Sequence, residues 1–210
     1  MSARPAALVL ASASARRREL LERAGLAFEI VPAGVDESLV PAREPVDAAR
    51  TLAERKARAV AAQLRERAAW VLGADTLVAL ELPGGGWRLL GKPGSPDEAR
   101  SMLSALSGSR HHVVTGVCVV RSTDGFSLTG SETTWVTMRA FDAREIESYV
   151  ASGEWRDKAG GYAIQESAER FVIRLEGGGF DNVVGLPVGL ALHLLRRAGA
   201  GELVAGAEPG

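Results

Sequence analysis

Apolar and polar residues alternate along this chain in two patterns: short apolar runs, and longer stretches in which apolar residues recur with helical spacing. Residues 8–11 form an apolar run that is typical of a buried strand. Residues 15–24 then show helical periodicity, and Gly25 is placed to end that helix. A second strand is predicted at residues 27–31, and a long amphipathic helix at about residues 46–67. The first part of the chain therefore predicts alternating strands and helices.

The rest of the chain continues this alternation and adds long strands joined by tight turns. Ser95 with Pro96 is typical of a helix start, and so is Asp142 with Glu145. Pro187 is placed to begin the last helix. Long hairpin strands together with crossover helices predict an α/β protein whose mixed β-sheet is flanked by helices. The further strands are predicted at residues 70–74, 77–82, 88–90, 112–121, 127–140 and 171–175.

Composition narrows the class of protein. The chain has 210 residues, with 25 lysines and arginines against 26 aspartates and glutamates and a formal net charge of −1. A net charge near zero argues against nucleic-acid binding through overall charge alone, so no stable nucleic-acid partner is expected. No apolar run has the length of a membrane span, and the single Cys118 indicates a reducing compartment, so we expect a cytoplasmic location without a membrane partner. One domain is expected over residues 1–197, with a flexible tail over residues 198–210.

The start of the first predicted helix is electrostatically unusual. Ser12 and Ser14 precede it, and Arg16 and Arg17 fall in its first turn, where the partial positive charge of a helix normally attracts acids. Backbone N–H groups, hydroxyls and guanidinium groups at one spot suit a polyanion, most simply a phosphate chain. A solvated run of arginines is the alternative, and this segment alone does not separate the two interpretations.

Three more polar residues, at two places in the chain, fit a purely structural role poorly. Lys56 lies within the apolar stripe of the long helix, where it either extends to solvent or reaches inward to a buried anion. Asp75 and Thr76 come where the predicted strand 70–74 ends, and strand ends in sheet proteins often carry active-site groups. An aspartate there is also a common turn former or helix cap, although no helix is predicted to follow.

Three further segments are weak signals when each is taken alone. Lys92 stands between a glycine and a proline, which is typical of a tight turn. Asp36 and Glu37 are adjacent acids in a predicted loop, and carboxylates that face phosphates usually imply a bridging divalent cation. Residues 157–165 are a glycine-rich loop that contains an aromatic ring and Gln165. The amide of this glutamine can donate and accept together, as recognition of a base edge requires.

Other catalytic classes lack their signatures. His111, His112 and His193 do not form a zinc site, since the chain has one cysteine and no paired ligand spacing. Ser12 lacks the flanking glycines of a hydrolase nucleophile elbow. No glycine-rich loop ends in Lys-Ser or Lys-Thr, which argues against an ordinary P-loop nucleotidase.

Taken together, these segments resemble one family. The chain is similar to Maf-type nucleoside triphosphate pyrophosphatases from residue 8 to about residue 194, and residues 161–165 resemble the branch directed to dTTP and UTP. The chain departs from the family where Ala15 replaces a proline, and where Ala163 and Glu166 stand at positions that are often glycine. The likeness is carried, in the family's order, by residues 11–17, 36–37, 52–57, 73–76, 91–93, 157–160 and 182–187.

The resemblance implies an inosine-triphosphatase-like fold with a central cleft, and hydrolysis of a nucleoside triphosphate between its α- and β-phosphates. We expect Asp75 to accept the proton of the attacking water and, with Glu37, to hold Mg²⁺ or Mn²⁺. By resemblance, substrate choice depends on Arg16, Thr76 and Gln165. The phosphates would be neutralised and bound by Ser12, Arg16, Arg17, Lys56 and Lys92.

Other functions stay open at this point. The same reaction on 7-methyl-GTP or another modified purine nucleotide is one alternative, and a modified pyrimidine nucleotide is another. A non-catalytic, nucleotide-binding regulator of septum formation would keep the basic residues but would have no use for Asp75 and Glu37 beside phosphates. The resemblance also implies a homodimer and a role in clearing unwanted nucleotides from the cellular pool.

Overall fold

In the described part of the chain, a seven-stranded mixed sheet forms the frame of the protein. The computed structural model describes residues 6–36 and 44–208. The helices are α1 (Ala15–Arg23), α2 (Pro45–Gln63), α3 (Pro96–Leu106), α4 (Ala143–Ser152), α5 (Phe180–Val184) and α6 (Val188–Ala198). The strands are β1 (Ala7–Leu10), β2 (Glu29–Ile30), β3 (Ala69–Glu81), β4 (Trp87–Leu90), β5 (Arg110–Arg121), β6 (Ser127–Met138) and β7 (Val172–Glu176).

The sheet confirms the predicted α/β class. Its strand order is β2-β1-β3-β5-β6-β7, and β4 pairs with β3 outside this path. β1 runs parallel to β2 and β3, because helical crossovers link them, whereas the hairpins from β3 onward are antiparallel. Apolar side chains of one face pack with α1 and α6, and those of the other face pack with α2. The sheet therefore separates two helical layers.

Strand β3 changes neighbours along one of its edges, and this creates an opening in the sheet. β1 pairs with β3 as far as Leu72, whereas β4 pairs with it only from Val78 onward. β4 lies on the same edge as β1, because Val78 pairs with β5 across the other edge. Within the described ranges, residues 73–77 therefore have a strand partner on the β5 side alone.

The predicted interruption of this strand is wrong. β3 is continuous, so Asp75 and Thr76 lie in its middle and not at a strand end. Its pairing with β5 runs without a break from Trp70 to Ala79 and keeps both polar residues in an extended conformation. Asp75 and Thr76 lie just beyond the point where β1 stops pairing with β3. The length of β1 sets this point, so the sequence around Asp75 does not reveal it.

Helix α2 lies directly against the middle of the sheet because two glycines allow it. A Cβ atom on Gly73 would lie 2.5 Å from the carbonyl oxygen of Ala53, and one on Gly116 would lie 2.2 Å from that of Ala49. Real Cβ atoms essentially never approach a neighbour closer than 3.0 Å, so both positions require glycine. The buried face of α2 is therefore held against the strand residues beside the opening.

Most helix boundaries follow their sequence signals. α1 ends before Gly25, which has a φ of 75°, and Asp142 with Glu145 forms the capping box that opens α4. α2 is shorter than predicted and ends at Gln63, because Leu64 leaves the helical conformation and turns the chain toward β3. No helix within residues 6–36 and 44–208 has the length and apolar character needed to cross a membrane.

The segment after α6 packs against the core. It contains a 3₁₀ helix, Gly201–Val204. Ala200, Val204 and Ala207 are buried in the same apolar cluster as α6. Small residues without clear periodicity gave no sign of this packing, and the sequence predicted a flexible tail here. These contacts favour including the residues up to Ala207 in the domain.

Candidate active site

A cleft of about 500 Å³ lies beside the opening in the sheet. It is lined by α2 and the middle of β3, by the loop between β1 and α1, by the segment that follows β4, and by two segments near residues 156–165 and 183–185. Glu37, a predicted metal ligand, lies outside the described residues. The other eight predicted site residues all line the cleft, and they are Ser12, Arg16, Arg17, Lys56, Asp75, Thr76, Lys92 and Gln165.

Lys56 and Asp75 form a buried ion pair at the cleft. Lys56 Nζ lies 2.7 Å from Asp75 Oδ1, and the two side chains are 5% and 9% exposed. Of the two interpretations of Lys56, the structure shows the ammonium that reaches inward to an anion. Asp75 neither caps a helix nor forms a turn, since it lies within β3. The charge-assisted hydrogen bond fixes the orientation of its carboxylate.

Arg17 joins three walls of the cleft through its guanidinium group. Nε donates to the carbonyl oxygen of Gly185 at 2.8 Å, Nη1 to Ser12 Oγ at 3.3 Å, and Nη2 to Thr76 Oγ1 at 3.2 Å. The residue is buried, with 9% of its surface exposed. Arg17 is therefore fixed in position at the cleft and is not part of a solvated run of arginines.

The N-terminal turn of α1 faces the cleft with few compensating acids. Ser14, the residue before the helix, makes no side-chain capping bond, and the first turn contains no acidic residue. Arg16 Nη2 donates to the carbonyl oxygen of Asp157 at 3.1 Å, which joins this turn to the loop on the other side of the cleft. A helix N-terminus without an internal capping anion, together with arginines, is a suitable place for phosphate oxygens.

A hydroxyl network supports the side of β3 opposite Asp75, and sequence analysis did not predict it. Thr76 Oγ1 lies 2.9 Å from Thr115 Oγ1, and Thr115 donates to the carbonyl oxygen of Asn182 at 3.0 Å. Asn182 is fully buried and donates from Nδ2 to Thr134 Oγ1 at 2.8 Å. The register places Thr76 opposite Thr115, a pairing that single-sequence periodicity does not reveal. The hydroxyl of Thr76 is thus held in place by Thr115, and it in turn helps to orient the guanidinium group of Arg17.

A second buried network lies behind residues 162–165, and sequence analysis considered its histidine only as a metal ligand. His111 Nε2 lies 2.9 Å from the hydroxyl of Tyr162, and Nδ1 lies 3.1 Å from Ser109 Oγ. Burial lowers the pKa of His111 to about 3, with a smaller contribution from His112. Burial also raises the pKa of Tyr162 above its usual range. The pair is therefore a neutral hydrogen-bonding unit at physiological pH.

A divalent cation at this cleft would rely on few carboxylates. No group of three or more His, Cys, Asp and Glu side chains able to hold an ion occurs in residues 6–36 and 44–208. Asp75 Oδ1 is bonded to Lys56, so its other carboxylate oxygen is the candidate ligand. The carbonyl oxygen of Asp36 accepts from Arg55 at 3.0 Å, which attaches the residue before Glu37 to α2. A Mg²⁺ ion held by one or two carboxylates and completed by substrate phosphates fits this donor set.

Comparison with known proteins agrees with the motifs. Residues 7–198 match the sequence model of a family described as "Maf-like protein". The chain belongs to the Maf family. A relative from Anaeromyxobacter dehalogenans named dTTP/UTP pyrophosphatase is 48% identical over 194 residues, which cover 91% of this chain and 94% of the relative. Relatives with the same name are 51% identical over 181 residues in Moorella thermoacetica (86% and 89% covered) and 44% identical over 192 residues in Geobacillus sp. (91% and 98% covered).

The structure shows how two of the departures, Ala15 and Glu166, are accommodated. Helix α1 begins at Ala15, where the resemblance leads us to expect a proline, and its first turn forms without one. Glu166 has a φ of −123° and a ψ of −157°, which is extended backbone that does not require glycine. Its Oε2 accepts from the buried Lys158 Nζ at 2.8 Å, and the same ammonium donates to the carbonyl oxygen of Glu154. Through Lys158, Glu166 therefore attaches the loop that carries Gln165 to the segment that follows α4.

Proposed function

We propose that this Maf protein hydrolyses dTTP and UTP to the nucleoside monophosphate and pyrophosphate. The observation that carries the proposal is the single cleft in which cationic side chains surround the buried carboxylate of Asp75. The names of the relatives support the same reaction and the same two substrates. A regulator that only binds nucleotides would gain nothing from a carboxylate beside the phosphates, since the two would repel each other.

The triphosphate would lie between the first turn of α1 and the two lysines of the cleft. Its several negative charges repel an attacking water molecule, so they must be neutralised before hydrolysis. Arg16 and Lys92 line the cleft with cationic groups, and Ser12 adds a hydroxyl beside the helix N-terminus. Arg17 brings a further positive charge at a position fixed by Gly185 and the side chains it contacts. Arg17 is held by three hydrogen bonds to groups of the protein itself, so its charge would need little reorganisation during the reaction.

Asp75 is the group best placed to accept a proton from water. It is held rigidly by β3 and by its bond to Lys56, and it lines the cleft. A Mg²⁺ or Mn²⁺ ion held by Asp75 and Glu37 would, when bound, neutralise phosphate charge and lower the pKa of a water molecule. Lys56 would keep the carboxylate in one orientation while the proton moves. This division gives one acid the chemistry and its lysine partner the positioning.

Recognition of the pyrimidine base would rest chiefly on Gln165. Its side chain is exposed and borders both the cleft and an adjacent groove. An amide can pair with the neighbouring donor and acceptor groups of uracil or thymine. The hydroxyl of Thr76 already bonds Thr115 and Arg17, so we assign Thr76 an indirect role through the position of Arg17. A purine would present a larger ring and a different donor pattern to the same amide.

The experiment is an assay of pyrophosphate release with dTTP, UTP, ATP, GTP and 7-methyl-GTP, each with Mg²⁺ and with Mn²⁺. We expect dTTP and UTP to be hydrolysed well above the purine nucleotides. Preference for GTP or 7-methyl-GTP would overturn the substrate assignment. Tight nucleotide binding without pyrophosphate release under either metal would overturn the enzymatic function and favour a regulator.

A further inference from the structure

His111 does not line the cleft, yet it is attached to a residue that does. It lies in β5, it is fully buried, and both of its ring nitrogens have hydrogen-bond partners. Its partner Tyr162 is 6% exposed and belongs to the wall of the cleft. The two rings meet edge to face, with centroids 5.7 Å apart and an interplanar angle of 83°. The contact links the rigid sheet to the loop that carries Gln165.

Tyr162, His111 and Ser109 form a chain of hydrogen bonds that ends at a backbone carbonyl oxygen. That carbonyl oxygen can only accept, and this fixes the direction of every bond in the chain. Ser109 Oγ lies 2.8 Å from the carbonyl oxygen of Leu106, which can only accept, so the serine hydroxyl donates there. Ser109 Oγ must then accept from His111, which places the imidazole proton on Nδ1. Nε2 is consequently an acceptor, and Tyr162 donates its hydroxyl proton to it. One arrangement of protons satisfies the whole network.

A second bond holds the same loop one residue further along. The backbone N–H of Ala163 donates to the hydroxyl of Tyr149 in α4, at 3.3 Å. Tyr162, Ala163 and Ile164 are all buried, and the exposed Gln165 follows them directly. The amide of Gln165 is therefore presented to the cleft by a short segment that two buried hydroxyls attach to the sheet and to α4.

We propose that His111 is a positioning residue for substrate selection, which acts through Tyr162 to fix the segment that presents Gln165. The proposal rests on the function proposed above. Within the described residues the ring nitrogens of His111 bond Ser109 and Tyr162, and neither partner is a cationic group of the cleft. Loss of His111 should therefore weaken recognition of the nucleoside and not of the phosphates. A purely structural histidine would affect both subsites or neither.

The test compares wild-type protein with His111→Phe, which keeps a ring but removes both nitrogens. The KM for UTP is measured by pyrophosphate release, and inorganic triphosphate serves as a competitive inhibitor that occupies the phosphate subsite alone. We expect the KM for UTP to rise about tenfold in His111→Phe, as befits one lost buried hydrogen bond. The inhibition constant of triphosphate should stay within about twofold. An equal rise in both constants, or no change in either, would overturn the proposal.

Four more variants separate positioning from loss of stability. His111→Gln offers Tyr162 an acceptor again, and it should recover most of the wild-type KM. Tyr162→Phe should raise the KM as His111→Phe does, and the double variant should add little, because both single changes remove the same bond. Ser122→Ala is the matched control, since its buried hydroxyl bonds Arg67 at the opposite end of β5. It should lower thermal stability while the KM for UTP stays unchanged, and additive effects in the double variant would contradict the proposal.

Hydrogen exchange provides a measurement that does not depend on turnover. If wild-type protein fails to hydrolyse dTTP and UTP, the proposed function is wrong, but the positioning of the loop can still be measured. The amides of residues 163–165 should exchange faster in His111→Phe than in wild-type protein, while those of β3 exchange at the same rate. Unchanged protection of residues 163–165 would refute the role of His111 whatever the substrate.

Discussion

Acid should destabilise this protein through one buried histidine, by an amount that follows from the structure. Burial lowers the pKa of native His111 from 6.5 to about 3. In the unfolded chain the imidazole regains its ordinary pKa and binds a proton below pH 6.5. Between the two values the unfolded state binds more protons than the native state, so the free energy of unfolding falls as the pH falls. His111 therefore costs no unfolding free energy well above pH 6.5, and the loss grows steadily as the pH falls below that value.

The size of this effect depends little on the exact native pKa. At pH 5 an imidazole with an ordinary pKa is almost fully protonated, whereas buried His111 is not. Because the unfolded chain binds this proton and the native protein does not, the free energy of unfolding at pH 5 is about 2 kcal/mol lower than at pH 8. Any native pKa below about 4 gives nearly the same figure, because the native state carries almost no proton in either case.

Urea unfolding at pH 8 and pH 5, followed by the fluorescence of the four tryptophans, measures this difference. Other groups also titrate over this range, so wild-type protein is compared with His111→Gln and with His193→Gln, whose histidine is exposed on α6. Between the two pH values His111→Gln should lose about 2 kcal/mol less than wild-type protein, and His193→Gln should follow wild type. An identical pH dependence in wild type and His111→Gln would refute a neutral, buried His111.

Three further predictions concern the ion pair and the packing of α2. Lys56→Met leaves the Asp75 carboxylate buried without its partner and should lower the free energy of unfolding in urea by about 3 kcal/mol. Asp75→Asn should keep the fold, seen by circular dichroism, but reduce the rate of pyrophosphate release by about two to four orders of magnitude. Gly116→Ala places a Cβ 2.2 Å from a carbonyl oxygen of α2 and should lower the unfolding free energy by about 3 kcal/mol, measured in urea.

Two of these variants have a control in the same chain. The double variant Lys56→Met with Asp75→Asn should unfold at higher urea than Lys56→Met alone, because no uncompensated charge stays buried. Gly201→Ala adds a Cβ where no atom lies within 4 Å, so its stability should match wild type within about 0.5 kcal/mol. Near-normal turnover in folded Asp75→Asn would remove Asp75 from the mechanism, and a Gly116→Ala protein as stable as Gly201→Ala would contradict the close packing of α2.

The sequence predicted the elements whose signals are local. The start of α4 at Asp142, the glycine that ends α1 and the short strand β4 all have signals from residues that are neighbours in the chain. The continuity of β3 could not be predicted in this way, because the strand is held through Asp75 and Thr76 by pairing with β5. The packing after α6 was missed because Ala200 and Ala207 carry little hydrophobic signal.

The sequence predicted those candidate site residues whose charge or polarity is unusual for their position in a helix or strand. Lys56 in an apolar stripe and arginines in a first helical turn conflict with local preference, and such conflicts often mark functional positions. His111 gave no such signal, since a histidine at the start of a strand is ordinary until Tyr162 is found 2.9 Å away. Its partner is distant in sequence, so only the three-dimensional arrangement reveals the pair.

The opening beside β3 explains how helices on opposite faces of one sheet can serve the same ligand. Successive strand residues point to opposite faces, so Asp75 meets Lys56 of α2 while Thr76 meets Arg17 of α1. With a strand paired along both edges, the sheet would keep these two groups apart. Within the described ranges residues 73–77 are paired on the β5 side alone, so a phosphate chain at the other edge can contact both faces at once. The positive charges converge because β1 ends before Asp75 and β4 begins after it.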